Sequence, residues 1–266
     1  MTLDPLLLTT AVEAVVHAGD IMMSRFGTGI RIDKKGTIDL VTEVDVAIER
    51  SFREMIAARF PDHAVLGEEM GGSAAPPAGP CWVFDPIDGT TNFAHGLPIF
   101  CSSLALEIDG VAEVAAIYDP NRRELFTAER GGGAFLNGRP LHVSATTALV
   151  DAMLVTGFPY DVHSRIGEIV GLFGEFVGRA RAVRRLGSAA IDLCYVAAGR
   201  MDGFWESDLK PWDIAGGALI LAEAGGRITN MDGSAFASRG RHVLASNGLL
   251  HDAMLEIVHA FRNQQK

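Results

Sequence analysis

The stretch GPCWVFDPIDGTTNFAHG, Gly79 to Gly96, decides the reading of this chain. A short apolar run, Cys81 to Phe84, ends in two aspartates three residues apart, Asp85 and Asp88, followed by Gly89, Thr90 and Thr91. Like charges that close repel unless a cation lies between them. Pro86 restricts the backbone between the aspartates, and the Ile87 carbonyl stands where it would join them in holding the same ion. Gly89 lets main chain approach a ligand closely. Thr90 falls at the expected start of a helix, whose free N–H groups would receive a phosphate.

Further acids stand at other element ends: Glu68 in LGEEM and Asp213 in KPWDIAGG. Carboxylate and carbonyl oxygens suit hard cations, magnesium first, whereas zinc recruits histidine or cysteine. None of the eight histidines forms an HExxH-type pair. Singly, each acid has a plainer reading. Asp85 and Asp88 would be turn formers, Asp213 an acid favoured by a helix dipole, Asp45 a capping residue, and Glu68 with Glu69 a solvated pair. Their joint occurrence favours a metal-centred site.

The rest of the composition fits an enzyme of this kind. The chain has 266 residues, 48% apolar and 21% charged, enough for one large domain or two small ones. A formal charge of -10 with no basic block argues against nucleic-acid binding, so an anionic substrate requires cations locally. No window approaches roughly 18 uninterrupted apolar residues, and the start lacks the basic flank of a secretory signal, so a cytoplasmic protein without membrane association is expected. Cys81, Cys101 and Cys194 have no metal-like spacing and read as buried thiols.

Helical spacing predicts a helix from Pro5 to about Arg25 and another after Thr42, with Thr42 as N-cap and Asp45 at the capping-box offset. HAVLGEE reads as a short strand and GGSAAPPAGP, 71–80, as a surface loop. The runs from FCSSLALEIDG to LHV predict an antiparallel meander. Beyond Ala152, strands such as MLVTGF and HVLASN interleave with the helices IGEIVGLFGEFVG, SAAIDLCYVAAG and DIAGGALILAEAGG. Ser188 reads as the N-cap of the second of these, and Glu206 as an acid beside Lys210.

DLVTEVD (39–45), GEE (67–69), DPIDGTTNF (85–93) and PWDIAGG (211–217) resemble, in order and spacing, the inositol monophosphatase family of lithium-sensitive, magnesium-dependent phosphatases. The resemblance implies a layered α/β fold, the five-layered αβαβα sandwich of sugar phosphatases, commonly a homodimer. A single domain over 1–266 is expected, with a metal-binding half of about 1–145 and an α/β half of about 146–266. It implies Glu68, Asp85 and the Ile87 carbonyl as ligands of a first magnesium, and Asp85, Asp88 and Asp213 as ligands of a second. A third, looser metal would lie near Glu68. Thr90, Asp45 and Glu68 would be catalytic, the first two holding the attacking water. Asp88, Gly89 and Thr90 would meet the phosphate, and Gly187, Ser188, Ala189 and Glu206 the polyol. A loop matching DKKGTIDL (33–40) would carry a lysine, with Lys34 its nearest counterpart.

The implied reaction is hydrolysis of a phosphate monoester, inositol-1-phosphate foremost. Histidinol phosphate, fructose-1,6-bisphosphate and 3′-phosphoadenosine 5′-phosphate are rivals that share the metal core. The DxDGT signature of haloacid-dehalogenase phosphatases is a poor match, because two residues rather than one separate Asp85 from Asp88. A non-catalytic scaffold is the remaining alternative.

Overall fold

The computed structural model describes residues 4–36, 39–72 and 78–264. The elements in chain order are α1 (Pro5–Arg25), β1 (Ile32–Lys34), β2 (Leu40–Thr42), α2 (Glu43–Arg59), β3 (Ala64–Gly67), β4 (Pro80–Asp88), α3 (Thr90–Ala94) and β5 (Cys101–Ile108). They continue with β6 (Val111–Asp119), β7 (Glu124–Glu129), β8 (Gly133–Leu136), β9 (Arg139–Pro140), β10 (Met153–Thr156), α4 (Ile166–Val177) and β11 (Ala182–Arg184). The last are α5 (Ala189–Ala197), β12 (Gly203–Ser207), α6 (Pro211–Glu223), β13 (Arg227–Asn230), β14 (His242–Ser246) and α7 (His251–Gln264).

The two N-terminal helices begin where their caps dictate. Asp4 accepts from the Leu6 N–H ahead of Pro5 in α1. Thr42 and Asp45 form a reciprocal capping box on α2, with the Thr42 N–H donating to Asp45 at 2.8 Å. The apolar stripes of these helices, Leu7, Ala11, Val15 and Met22 on α1 and Val44, Ile48, Phe52 and Ile56 on α2, pack with Trp82, Phe84 and Leu104 of a seven-stranded sheet. By length and composition α1 would suffice to span a membrane, yet this stripe is buried against the sheet.

The seven-stranded sheet runs in order β3 to β9. From β4 onward every neighbour is antiparallel, which is the expected meander extended by one strand at its start, and β3 joins parallel to β4. A second sheet of five strands has the order β11-β10-β12-β14-β13.

Period-two alternation along the second sheet builds the remaining layers. Val155, Phe204, Val243 and Ala245 point inward with α5 and α6 toward Ile117 and Phe126 of the first sheet. Their neighbours Leu154, Trp205 and Leu244 point outward to Phe176 of α4 and Met254 and Val258 of α7. The layers therefore run helices α1 and α2, seven-stranded sheet, helices α5 and α6, five-stranded sheet, helices α4 and α7. This is the αβαβα sandwich. The three cysteines are free and buried.

Two expectations meet their limits here. Residues 33–40, read as a loop, carry the ends of an antiparallel hairpin, with Lys34 opposite Leu40, and 37–38 lie outside the described residues. Of the loop read at 71–80, residues 73–77 lie outside them as well.

Candidate active site

Residues an odd number of places apart on a regular strand face opposite sides of the sheet, so Asp85 and Asp88 would not share a site on an unbroken β4. The ladder resolves this with a bulge: Asp85 pairs with Ser103 and Asp88 with Cys101, three residues on β4 against two on β5. Pro86, which has no N–H to give the ladder, stands in the bulge. Both carboxylates then line one pocket of about 550 Å3. The Ile87 side chain is buried in the core beneath α2, while its carbonyl accepts the Thr90 hydroxyl at 2.8 Å. The chain leaves the strand through Gly89 at φ 98°, a left-handed conformation suited to glycine, and enters α3 at Thr90.

Topology delivers the other acids. Because β3 runs parallel to β4 with Gly67 opposite Phe84, the next residue, Glu68, emerges beside Asp85. Asp213 sits in the first turn of α6, where its carboxylate accepts the Lys210 N–H at 2.6 Å. Ser188 caps α5 and also donates to Asp88 at 2.6 Å, joined by the Ala190 N–H at 2.7 Å. Thus the capping reading and the pocket reading of Ser188 hold together. Gly187, Ala189 and Glu206 line the same pocket, as do Gly89 and Thr90. Asp45 lies behind it, 3.3 Å from the Thr90 hydroxyl.

Burial governs the electrostatics. It pushes Asp85 well above the carboxylate range, reinforced by Glu68, Asp88 and Asp213. It raises Asp213 likewise, and Glu68 in spite of Lys35. Asp88 and Asp45 are pushed to about 6, each held back by hydrogen bonds from Ser188 and Thr42 respectively. Glu206 reaches about 8 through burial, opposed by Arg185. So many carboxylates, each disfavoured as an anion, form a site that gains from added positive charge.

The donor set fits a hard cation. Asp85 Oδ1 is buried with no hydrogen-bond partner, and the surrounding donors are all oxygen. Among the described residues, no three such side chains already surround a common point. Their oxygens have protein partners: Lys35 donates to Glu68, Ser188 and Ala190 to Asp88, and the Lys210 N–H to Asp213.

The lysine that meets the acids of the site is Lys35 rather than Lys34. Lys34 is exposed on β1, and its successor, pointing the other way, reaches Glu68 at 2.9 Å and Glu69 at 2.5 Å. Arg185, which belongs to none of the quoted motifs, lines the pocket, approaches the Phe158 ring at 5.8 Å and has no salt bridge among the described residues. Trp212, of the PWDIAGG motif, completes the wall with Phe158 and Tyr160, which no motif marks.

A layered α/β fold with an acid-lined pocket at the bulge of β4 is the architecture of a sugar-phosphatase-type hydrolase. The sequence model of the inositol monophosphatase family matches residues 5–264. An inositol-1-monophosphatase of Synechocystis sp. is 43% identical, covering 95% of this chain and 88% of that protein. Nus factor SuhB of Salmonella typhimurium is 41% identical, covering 94% of each. The structure of inositol monophosphatase from Anabaena (Nostoc) superposes with a TM-score of 0.87 at 38% identity, covering 96% of each chain. The chain belongs to the inositol monophosphatase family and is a phosphomonoesterase.

Proposed function

We propose that this phosphatase hydrolyses a polyol phosphate, inositol-1-phosphate foremost, with Mg2+ as its cofactor. The observation that carries the reading is Asp85: buried, one oxygen without a partner, with Glu68, Asp88 and Asp213 around the same pocket. Glu68, Asp85 and the Ile87 carbonyl would hold one ion, and Asp85, Asp88 and Asp213 another, with a third, looser one near Glu68. Such ions, when bound, neutralise phosphate charge and lower the pKa of water.

The chain's own residues would do the rest. Thr90 Oγ1, within reach of Asp45 Oδ1 and the Ile87 carbonyl, orients the attacking water, and Asp45 accepts its proton through that hydroxyl. The N–H groups at Gly89 and Thr90, at the start of α3, face the phosphate oxygens. Glu206 accepts from vicinal hydroxyls of the polyol, beside Gly187, Ser188 and Ala189. Catalysis is then chiefly positioning and charge neutralisation.

The reading extends to a homodimer, supported by Ile166, Val170 and Val177, exposed on one face of α4. The free buried cysteines support a reducing, cytoplasmic setting. The test is phosphate release from inositol-1-phosphate, histidinol phosphate, fructose-1,6-bisphosphate and 3′-phosphoadenosine 5′-phosphate, by wild type and Asp88→Asn. Preference for the inositol ester, lost in the variant, supports the reading. Preference for another ester overturns the role given to Glu206, and inactivity of wild type on all of them favours a scaffold.

A further inference from the structure

Glu49 is a fully buried acid on α2, in neither the pocket nor any motif that marks the site. Its carboxylate accepts the backbone N–H of Glu69 at 2.7 Å and of Met70 at 3.0 Å, the two residues that follow Glu68. Arg53, one helical turn on, donates twice to the same carboxylate, at 2.9 and 2.8 Å, and once to the Gly71 carbonyl at 2.5 Å. The Gly67 N–H closes the turn onto Gly71 at 3.2 Å. One ion pair therefore grips the turn at 69–71, accepting from two of its N–H groups and donating to its last carbonyl. The fit leaves no spare room, because a side chain at Gly67 would collide with the Glu49 carboxylate.

The grip does more than satisfy buried groups. Glu68 lies inside the clamped turn, and its own N–H donates to the Phe84 carbonyl at 3.3 Å, next to Asp85. With its backbone fixed on one side by β4 and on the other by Glu49, Glu68 has only side-chain rotamers left to vary. Ligands held in this way bind a metal tightly because little ordering remains to be done on binding.

We infer that Glu49, seated by Arg53, is a positioning residue that sets the divalent-cation affinity of the site through the backbone of Glu68. This rests on the reading that Glu68 and Asp85 hold such a cation. Glu49→Gln keeps the size but sets an amide NH2 against donors that require an acceptor.

The test is binding of Mn2+ alone, followed by the loss of its free-ion electron paramagnetic resonance signal, with no substrate present. Wild type, Asp85→Asn, Glu49→Gln and Ile56→Val are compared. Ile56 is a buried residue of the same helix that serves as a control for destabilisation. The expected result is Mn2+ binding by wild type, its loss in Asp85→Asn, affinity at least about tenfold weaker in Glu49→Gln, and no change in Ile56→Val. Glu49→Gln that binds Mn2+ within twofold of wild type overturns the inference while leaving the metal reading intact. Wild type that binds none takes down both. Should Glu49→Gln show no cooperative melt, Arg53→Lys carries the test, since it keeps the Glu49 carboxylate but cannot hold the forked pair to Glu49 together with the bond to the Gly71 carbonyl. Weaker Mn2+ binding there supports the inference, and unchanged binding overturns it.

Discussion

The Thr90 hydroxyl stands 3.3 Å from Asp45 Oδ1, although 45 residues separate them in the chain. Asp45 Oδ2 is meanwhile occupied by both the N–H and the hydroxyl of Thr42, at 2.8 and 2.6 Å. One carboxylate thus caps a helix with one oxygen and faces the pocket's threonine with the other. Asp45→Asn is expected to lower kcat by about 10²- to 10⁴-fold with little change in KM. Because burial sets this acid at about 6 and it must be ionised to take a proton, wild-type kcat rises as pH rises through about 6. The rate profile of the variant should lack that limb; a limb that persists would move the base elsewhere.

Glu206 yields a prediction with two readouts. Its carboxyl is raised from 4.5 to about 8, chiefly by burial. Between those values the folded protein keeps a proton that the unfolded chain releases, so this group costs stability as pH rises, at most about 1.4 kcal/mol per pH unit. Glu206→Gln should therefore gain in Tm relative to wild type from pH 5 to pH 8 in metal-free protein. The same variant should raise KM for inositol-1-phosphate by a few-fold to about tenfold, the cost of a lost hydrogen bond. A KM unchanged on every polyol ester would remove Glu206 from substrate recognition.

His251 makes the opposite contribution. It is fully buried, with its two ring nitrogens 3.0 Å from the hydroxyls of Thr229 and Ser246. Burial first, then Arg227, depresses it from 6.5 to about 4. In that window the unfolded chain binds a proton that the folded one excludes, so stability falls as pH falls, by about 1.4 kcal/mol per unit. Denaturant unfolding of His251→Asn between pH 7 and pH 4 should show a shallower acid-side decline than wild type.

A charge in the apolar stripe of α4 tests the proposed dimer. Val170→Asp is expected to shift the mass in sedimentation equilibrium from dimer to monomer without loss of the thermal transition. A wild-type mass that is already monomeric would remove the stripe as an interface.

Much of this fold was legible because local chemistry carried it. The cap at Thr42 and the stripes of α1 and α2 are written in adjacent residues, and the glycine and aspartate turns between β5 and β8 mark the meander. The pairing of Asp85 with Asp88 was visible as a question. Its answer, a bulge opposite Cys101 and Ser103, required the partner strand. Other features lie wholly in tertiary contacts. The choice of Lys35 over Lys34 depends on which face of the β1–β2 hairpin meets Glu68 and Glu69. Glu49 shows no sequence signal beyond its i,i+4 spacing from Arg53, because its partners are backbone groups of a distant turn. Helix α7 is marked by apolar residues at helical spacing, Met254, Leu255 and Val258, but its place over the five-stranded sheet lies in tertiary contacts.

Asp85 and its neighbouring acids are proposed to hold the magnesium on which phosphate release depends. The most direct measurement is phosphate release from inositol-1-phosphate by EDTA-stripped protein as Mg2+ is titrated back, for wild type and Asp85→Asn. The account predicts activity rising saturably from near zero in wild type and at least about 100-fold lower in the variant at every Mg2+ concentration. Stripped wild type that is as active as untreated protein, or Asp85→Asn that regains full activity with Mg2+, would contradict it.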